Sequence, residues 1–159
     1  MKKIFLIIKS CLLFLILVNV ARAEQVYLSC KFQSGYVVYN LKEREEIKKG
    51  SKQAYNFNII LDTKNKKIIE APSFNPKLNN TRNNKENPGG FSNYSSIWLE
   101  NEIKWEHIFT YEEKKFNHSI YQNLNRKNNI VKYHSILILD GKHQEVRRTF
   151  SCSKESKKS

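Results

Sequence analysis

From residue 25 onward, apolar side chains recur at every second position in stretch after stretch, the period of a strand with one covered face. In residues 25–32, Val26, Leu28, Cys30 and Phe32 share one parity, and Tyr27, Ser29 and Lys31 share the other. Residues 36–39 predict a second, shorter strand. Residues 53–62 alternate again, with Tyr55, Phe57, Ile59 and Leu61 on one side and Asn56, Asn58 and Asp62 opposite. A polar turn at 62–66 leads into a partner strand at 67–71, which predicts a hairpin. The second half is denser in the same signal. Residues 95–100 carry Ile97, Trp98 and Leu99; residues 103–109 place Ile103, Trp105, His107 and Phe109 on one face; residues 116–124 do so with Phe116, His118, Ile120 and Leu124. After a turn at 125–129, residues 130–139 end apolar on both parities, which fits a strand covered on both sides. Asp140-Gly141 marks a tight turn, and 144–152 returns with Val146, Arg148, Phe150 and Cys152 facing one way.

Two stretches break the alternation. Asn40 and Glu43 have capping-box spacing, Gly50 suits a C-terminal cap, and Lys42/Glu46 and Glu45/Lys49 are opposite charges four apart. Residues 40–50 therefore predict a short surface helix docked through Leu41 and Ile47. Residues 72–94 are rich in Asn, Pro and Gly and predict a long irregular loop. About eight strands joined by short turns make the expected fold all-β, an antiparallel meander closing into a small barrel or packing as a two-layer sandwich.

The N-terminus adds a compartment. Lys2 and Lys3, the apolar run 11–18 and Ala21-Arg22-Ala23 give residues 1–23 the form of a cleaved secretory signal peptide. Lys9 interrupts the apolar run, leaving it short of the ~20 residues a membrane-spanning helix needs. The mature chain is thus expected to be exported, periplasmic or secreted, with no transmembrane span. It comprises one domain at 24–152 and a basic tail at 153–159 expected to be disordered. Cys11 leaves with the signal, so the oxidising compartment holds Cys30 and Cys152, on the apolar faces of the first and last strands. They predict a disulfide linking the N- and C-terminal strands.

Charge narrows the partners. The formal net charge is +13; Lys2, Lys3, Lys9 and Arg22 leave with the signal, and the mature domain keeps roughly +9. Such a surplus serves solubility, and it also favours anionic partners such as envelope polymers or lipid head groups. The basic turn and loop residues Lys64, Lys66, Lys77, Arg82, Lys85, Arg126 and Lys127 are the candidates for that contact. Export and the lack of a docking motif argue against nucleic acid.

Little in the chain suggests local catalytic chemistry. The mature sequence has no HExxH, CxxC, GxSxG, GxGxxG or GxxxxGK[ST] pattern, and its only aspartates are Asp62 and Asp140. No cofactor or metal is expected. His107 and His118 do fall on apolar strand faces, as does Arg148, and polar groups facing inward need partners. With Trp105 they are candidates for a small-ligand pocket, Arg148 holding an anionic group. A hydrolase with a histidine base requires one of these rings within about 3 Å of a nucleophile or metal. Trp98 and Trp105 otherwise read as core.

The segments Phe57-Asn58-Ile59-Ile60-Leu61-Asp62, Ile103-Lys104-Trp105 and Leu124-Asn125-Arg126, between a first-strand Cys30 and a last-strand Cys152, resemble small uncharacterised exported all-β proteins of proteobacteria. That resemblance implies a fold and no activity. Val26-Tyr27-Leu28-Ser29-Cys30 is similar to the opening of periplasmic C-type lysozyme inhibitors, whose Ser-Gly-x-x-Tyr loop has no counterpart here. A basic domain would also repel a cationic lysozyme. The expectation is therefore a non-enzymatic exported binding domain, with the small-ligand barrel and the hydrolase as alternatives.

Overall fold

The computed structural model describes residues 25–74, 81–82, 90–111 and 115–156. The signal segment 1–23 lies outside them, as do Lys77 and Lys85. The described residues contain strands and turns and no helix. In chain order the strands are β1 (Gln25–Tyr39), β2 (Glu43–Glu46), β3 (Phe57–Asp62), β4 (Lys67–Glu70), β5 (Thr81–Arg82), β6 (Gly90–Trp98), β7 (Glu102–Tyr111), β8 (Phe116–Asn125), β9 (Ile130–Leu139) and β10 (Lys142–Glu155). The strands from β6 to β10 form a meander, β10 then pairs with β1, and β1 with β3. The path β4-β3-β1-β10-β9-β8-β7-β6 curls into a nearly closed antiparallel barrel.

β1 is the axis of this arrangement, because it pairs with β10 along most of its length and with both β2 and β3 on its other side. Its register slips between Phe32 and Ser34. One extra residue at a bulge moves the inward face to the other parity. Leu28, Cys30 and Phe32 are buried before it, and Gly35 and Val37 after it. Gly35 sits where strands crowd: a Cβ there would lie 2.6 Å from the Arg147 carbonyl oxygen.

Cys30 and Cys152 stand opposite each other in the β1–β10 ladder and are bonded. The disulfide thus joins the N- and C-terminal strands. Around it lies one core that includes Leu28, Phe32, Val37, Ile59, Leu61, Ile103, Trp105, Leu124, Val131 and Phe150. Phe32, Phe57 and Tyr55 all pack their rings on Phe150.

The turns follow their sequence chemistry. Asp140 and Gly141 both take positive φ, as a two-residue hairpin between β9 and β10 requires. The Asp62 carboxylate accepts hydrogen bonds from the backbone N–H of Asn65 at 2.9 Å and from its side chain at 2.7 Å, shaping the β3–β4 turn. Between β8 and β9, Asn125 Oδ1 accepts from the N–H groups of Lys127 and Asn128.

Three expectations are corrected. The helix at 40–50 is absent: Asn40 and Leu41 both have positive φ, Lys42 N–H bonds back to the Tyr39 carbonyl, and β2 folds onto β1. Charges spaced for a helix serve a hairpin, with Arg44 and Glu46 paired two residues apart on one side of the strand. Residues 90–94, expected within an irregular stretch at 72–94, belong to β6, which begins at Gly90 and pairs with β5. β10 likewise continues to Glu155, pairing with Tyr27, beyond the predicted start of the tail. No helix among the described residues is long and apolar enough to cross a membrane.

Candidate functional site

The ladder registers arrange the inward residues of the meander in rows. Ile103, Leu124, Val131 and Phe150 make an apolar row. Next come Trp105, Gln122, Tyr133, Arg148 and Gly35, then Tyr94, His107, Ile120, Ser135 and Val146, then Phe109, His118, Leu137 and Gln144. The inward candidates Trp105, His107, His118 and Arg148 therefore share three neighbouring rows.

Each is held differently. Trp105 is buried in the core, and its Nε1 has no hydrogen-bond partner. The His107 ring stacks on Tyr94 with centroids 4.1 Å apart and an interplanar angle of 7°, and neither ring nitrogen has a partner. Burial, and then the charge of His118, push its pKa down to about 4. Burial also lowers the pKa of His118, whose Nε2 lies 2.8 Å from Ser135 Oγ. Arg148 lies between two phenol rings, its guanidinium carbon 5.1 Å from the Tyr55 centroid and 5.0 Å from that of Tyr133. Its Nε is buried without a partner. Burial raises the pKa of the Tyr55 hydroxyl and Tyr133 adds to the rise, against the opposing pull of Arg148. Among the described inward positions of β6 to β10 there is no carboxylate.

Gln122 and Ser135 were not singled out by sequence, although parity places both on inward faces, beside Ile120 and Tyr133. Gln122 Nε2 donates to the Pro72 carbonyl at 2.7 Å, while its Oε1 is buried and unpaired. Tyr55 escaped as well, because it precedes β3 and reaches Arg148 only through tertiary structure.

The basic turns form a second cluster. The β3–β4, β6–β7 and β8–β9 turns project from one end of the barrel, where β1 starts and β10 finishes. Lys64, Lys66, Arg126 and Lys127 are all exposed there. Near-closure of the barrel brings Lys66 and Arg126 to one cleft of about 270 Å³, lined also by Thr63, Trp98, Leu99 and Glu100. Arg126 is fixed by its backbone N–H to the Asn101 carbonyl at 2.8 Å and by its guanidinium to the Glu100 carbonyl at 3.1 Å. Trp98 Nε1 is a buried donor without a partner. Arg82 belongs to β5 and pairs with Phe91 near the start of β6, at the end of that strand away from the β6–β7 turn.

The outer face carries different features. His134 pairs with Glu145 at 2.9 Å, and Glu145 also accepts from Arg147. Burial raises the Glu145 pKa, but these partners outweigh it and hold the carboxyl below its ordinary value. A groove of about 310 Å³ between Ile97, Lys104, Tyr121 and Lys132 lies on the same face. Among the described residues, no group of three or more His, Cys, Asp or Glu is placed to hold a metal ion. No protein-family model matches the chain, no curated protein matches it, and no solved structure matches it.

Proposed function

We propose that this protein is an exported, non-enzymatic binding domain that holds anionic groups of an envelope polymer or lipid head group against one end of its barrel. The observation that carries this reading is the convergence of Lys66 and Arg126, from turns far apart in sequence, on one cleft beside the unpaired Trp98 N–H. Arg126 is pre-positioned by two hydrogen bonds, so it loses little freedom on binding. Lys64 and Lys127 extend the positive surface on either side. The disulfide is consistent with an oxidising compartment.

The test compares retention of the mature chain on phosphatidylglycerol and phosphatidylcholine vesicles, and on dextran sulfate, across a salt series. Binding should be confined to the anionic surfaces and weaken as salt screens it. At about 1 kcal/mol for each basic side chain near an anionic surface, Lys66→Ala with Arg126→Ala should weaken vesicle binding roughly 30-fold. Equal retention on phosphatidylcholine, or an undiminished double variant, would refute the proposal.

A second reading rests on the His118–Ser135 contact, which has the reach of a base and a nucleophile. Ser135 is 4% exposed, and among the described inward residues no carboxylate orients His118. A structural hydrogen bond fits that setting better. Covalent labelling of Ser135 by a fluorophosphonate, lost in Ser135→Ala, would instead establish the hydrolase.

A further inference from the structure

We infer that Arg148, set between Tyr55 and Tyr133 inside the barrel, anchors a second binding site, for the carboxylate or phosphate group of a small molecule with an apolar body. An enclosed guanidinium is ordinarily matched by a carboxylate, because removing the charge from water is costly without one. Arg148 has none. The ion pairs of its neighbours Glu145 and Arg147 lie on the opposite face of β10. The two phenol rings offset part of the cost through their faces, but a ring face accepts no strong hydrogen bond from Nε. The edge of the guanidinium that carries Nε is the edge a carboxylate or phosphate engages with two parallel bonds.

The surroundings fit the same ligand. Trp105, in the same row, offers a second unpaired donor. The adjacent row of Ile103, Leu124, Val131 and Phe150 is apolar. Gly35 faces Arg148 across the ladder, and a Cβ there would come 3.1 Å from the arginine Cγ. The absence of a side chain gives the arginine stem its place. Arg148 is half-buried as a residue while its Nε is enclosed, so a ligand must part the flanking rings to engage Nε. The site is distinct from the cleft of Lys66 and Arg126 and stands or falls independently of it.

The test is calorimetric titration of the mature, disulfide-bonded protein with benzoate and with phenyl phosphate at constant ionic strength. Saturable one-to-one binding of at least one probe is expected, and the probe that binds tells carboxylate from phosphate. Arg148→Lys keeps the charge but loses the fork and should bind at least about tenfold more weakly; Arg148→Met should weaken binding by roughly a hundredfold. If Arg148→Met fails to fold, the lysine variant decides. Failure of both probes to saturate the wild type below ~10 mM would overturn the inference, as would Arg148 variants with unchanged affinity.

Discussion

Replacing His107 with phenylalanine isolates the cost of keeping an imidazole neutral inside this barrel. Unfolded, the ring titrates near 6.5; folded, burial and then the His118 charge bring it to about 4. Between those values the unfolded chain binds a proton that the folded chain refuses, so stability falls as pH falls through that window. Above 6.5 the contribution is fully present, and below about 4 both states are protonated and the loss levels off. A gap of about 2.5 units at 1.36 kcal/mol per unit sets a ceiling of about 3 kcal/mol, and the ring's partial exposure to solvent brings the expected loss to roughly 1–2 kcal/mol, still a sizeable fraction of a small domain's stability. Phenylalanine keeps a ring against Tyr94 and removes both unpaired nitrogens. Urea unfolding followed from about pH 7.5 to pH 4 should show a clearly shallower decline in His107→Phe than in wild type. The variant should not be flat, because His118 is also lowered by burial and contributes with the same sign. Carboxyls held low by hydrogen bonds, such as Asp62 by Asn65, lose their contribution as pH falls further, equally in both proteins. Identical slopes would refute the assignment of His107 as an enclosed, neutral ring.

Other substitutions probe the frame. The Cys30–Cys152 bond spans 122 residues, and the chain-entropy estimate for a loop of that size is about 5 kcal/mol, so Cys30→Ala with Cys152→Ala should lower denaturant stability by several kcal/mol; a loss under about 1 kcal/mol would count against the linkage as a major constraint. Gly35→Ala should cost about 1–3 kcal/mol, because the new methyl meets backbone at the bulged crossing of β1 and β10 and cannot move aside. A thermal shift showing no loss would mean that the strands are less crowded there. Leu41 is 70% exposed with φ of 60°, so Leu41→Gly should raise stability by about 1 kcal/mol by relieving the left-handed backbone. Destabilisation instead would mean that the left-handed backbone at Leu41 is not a source of strain in the β1–β2 turn.

Much of this fold is legible in the sequence. Period-2 alternation places Leu28, Cys30, Ile59, Trp105, Ile120, Leu124 and Phe150 on the buried face, and all are buried. The opposed cysteines and the Asp140-Gly141 turn follow from the same pattern. The errors share a cause, which is that alternation is visible only where one face is apolar. β2 is exposed along its whole length, so it shows no alternation, and its Glu and Arg residues fit a helix equally well. The start of β6 hides because its inward positions are Gly90 and Ser92, small residues facing large rings; a Cβ at Gly90 would lie 2.5 Å from the Phe109 ring. The bulge in β1 hides because no residue type marks which position drops out of register. In the candidate sites, parity identified Arg148 and the two inward histidines. Tyr55 and the meeting of Lys66 with Arg126 depend on closure of the barrel, which local pattern does not encode.

The central claim is that the end of the barrel bearing Lys66 and Arg126 receives the anionic partner. Backbone amide shifts followed by nuclear magnetic resonance during titration with short dextran sulfate chains locate the contact residue by residue. The account predicts that the largest shifts fall on the 62–66, 99–102 and 125–128 turns, and that they collapse with added salt. Shifts centred on the opposite end, around Asn40 and Asp140, or spread evenly over every exposed lysine, would contradict it.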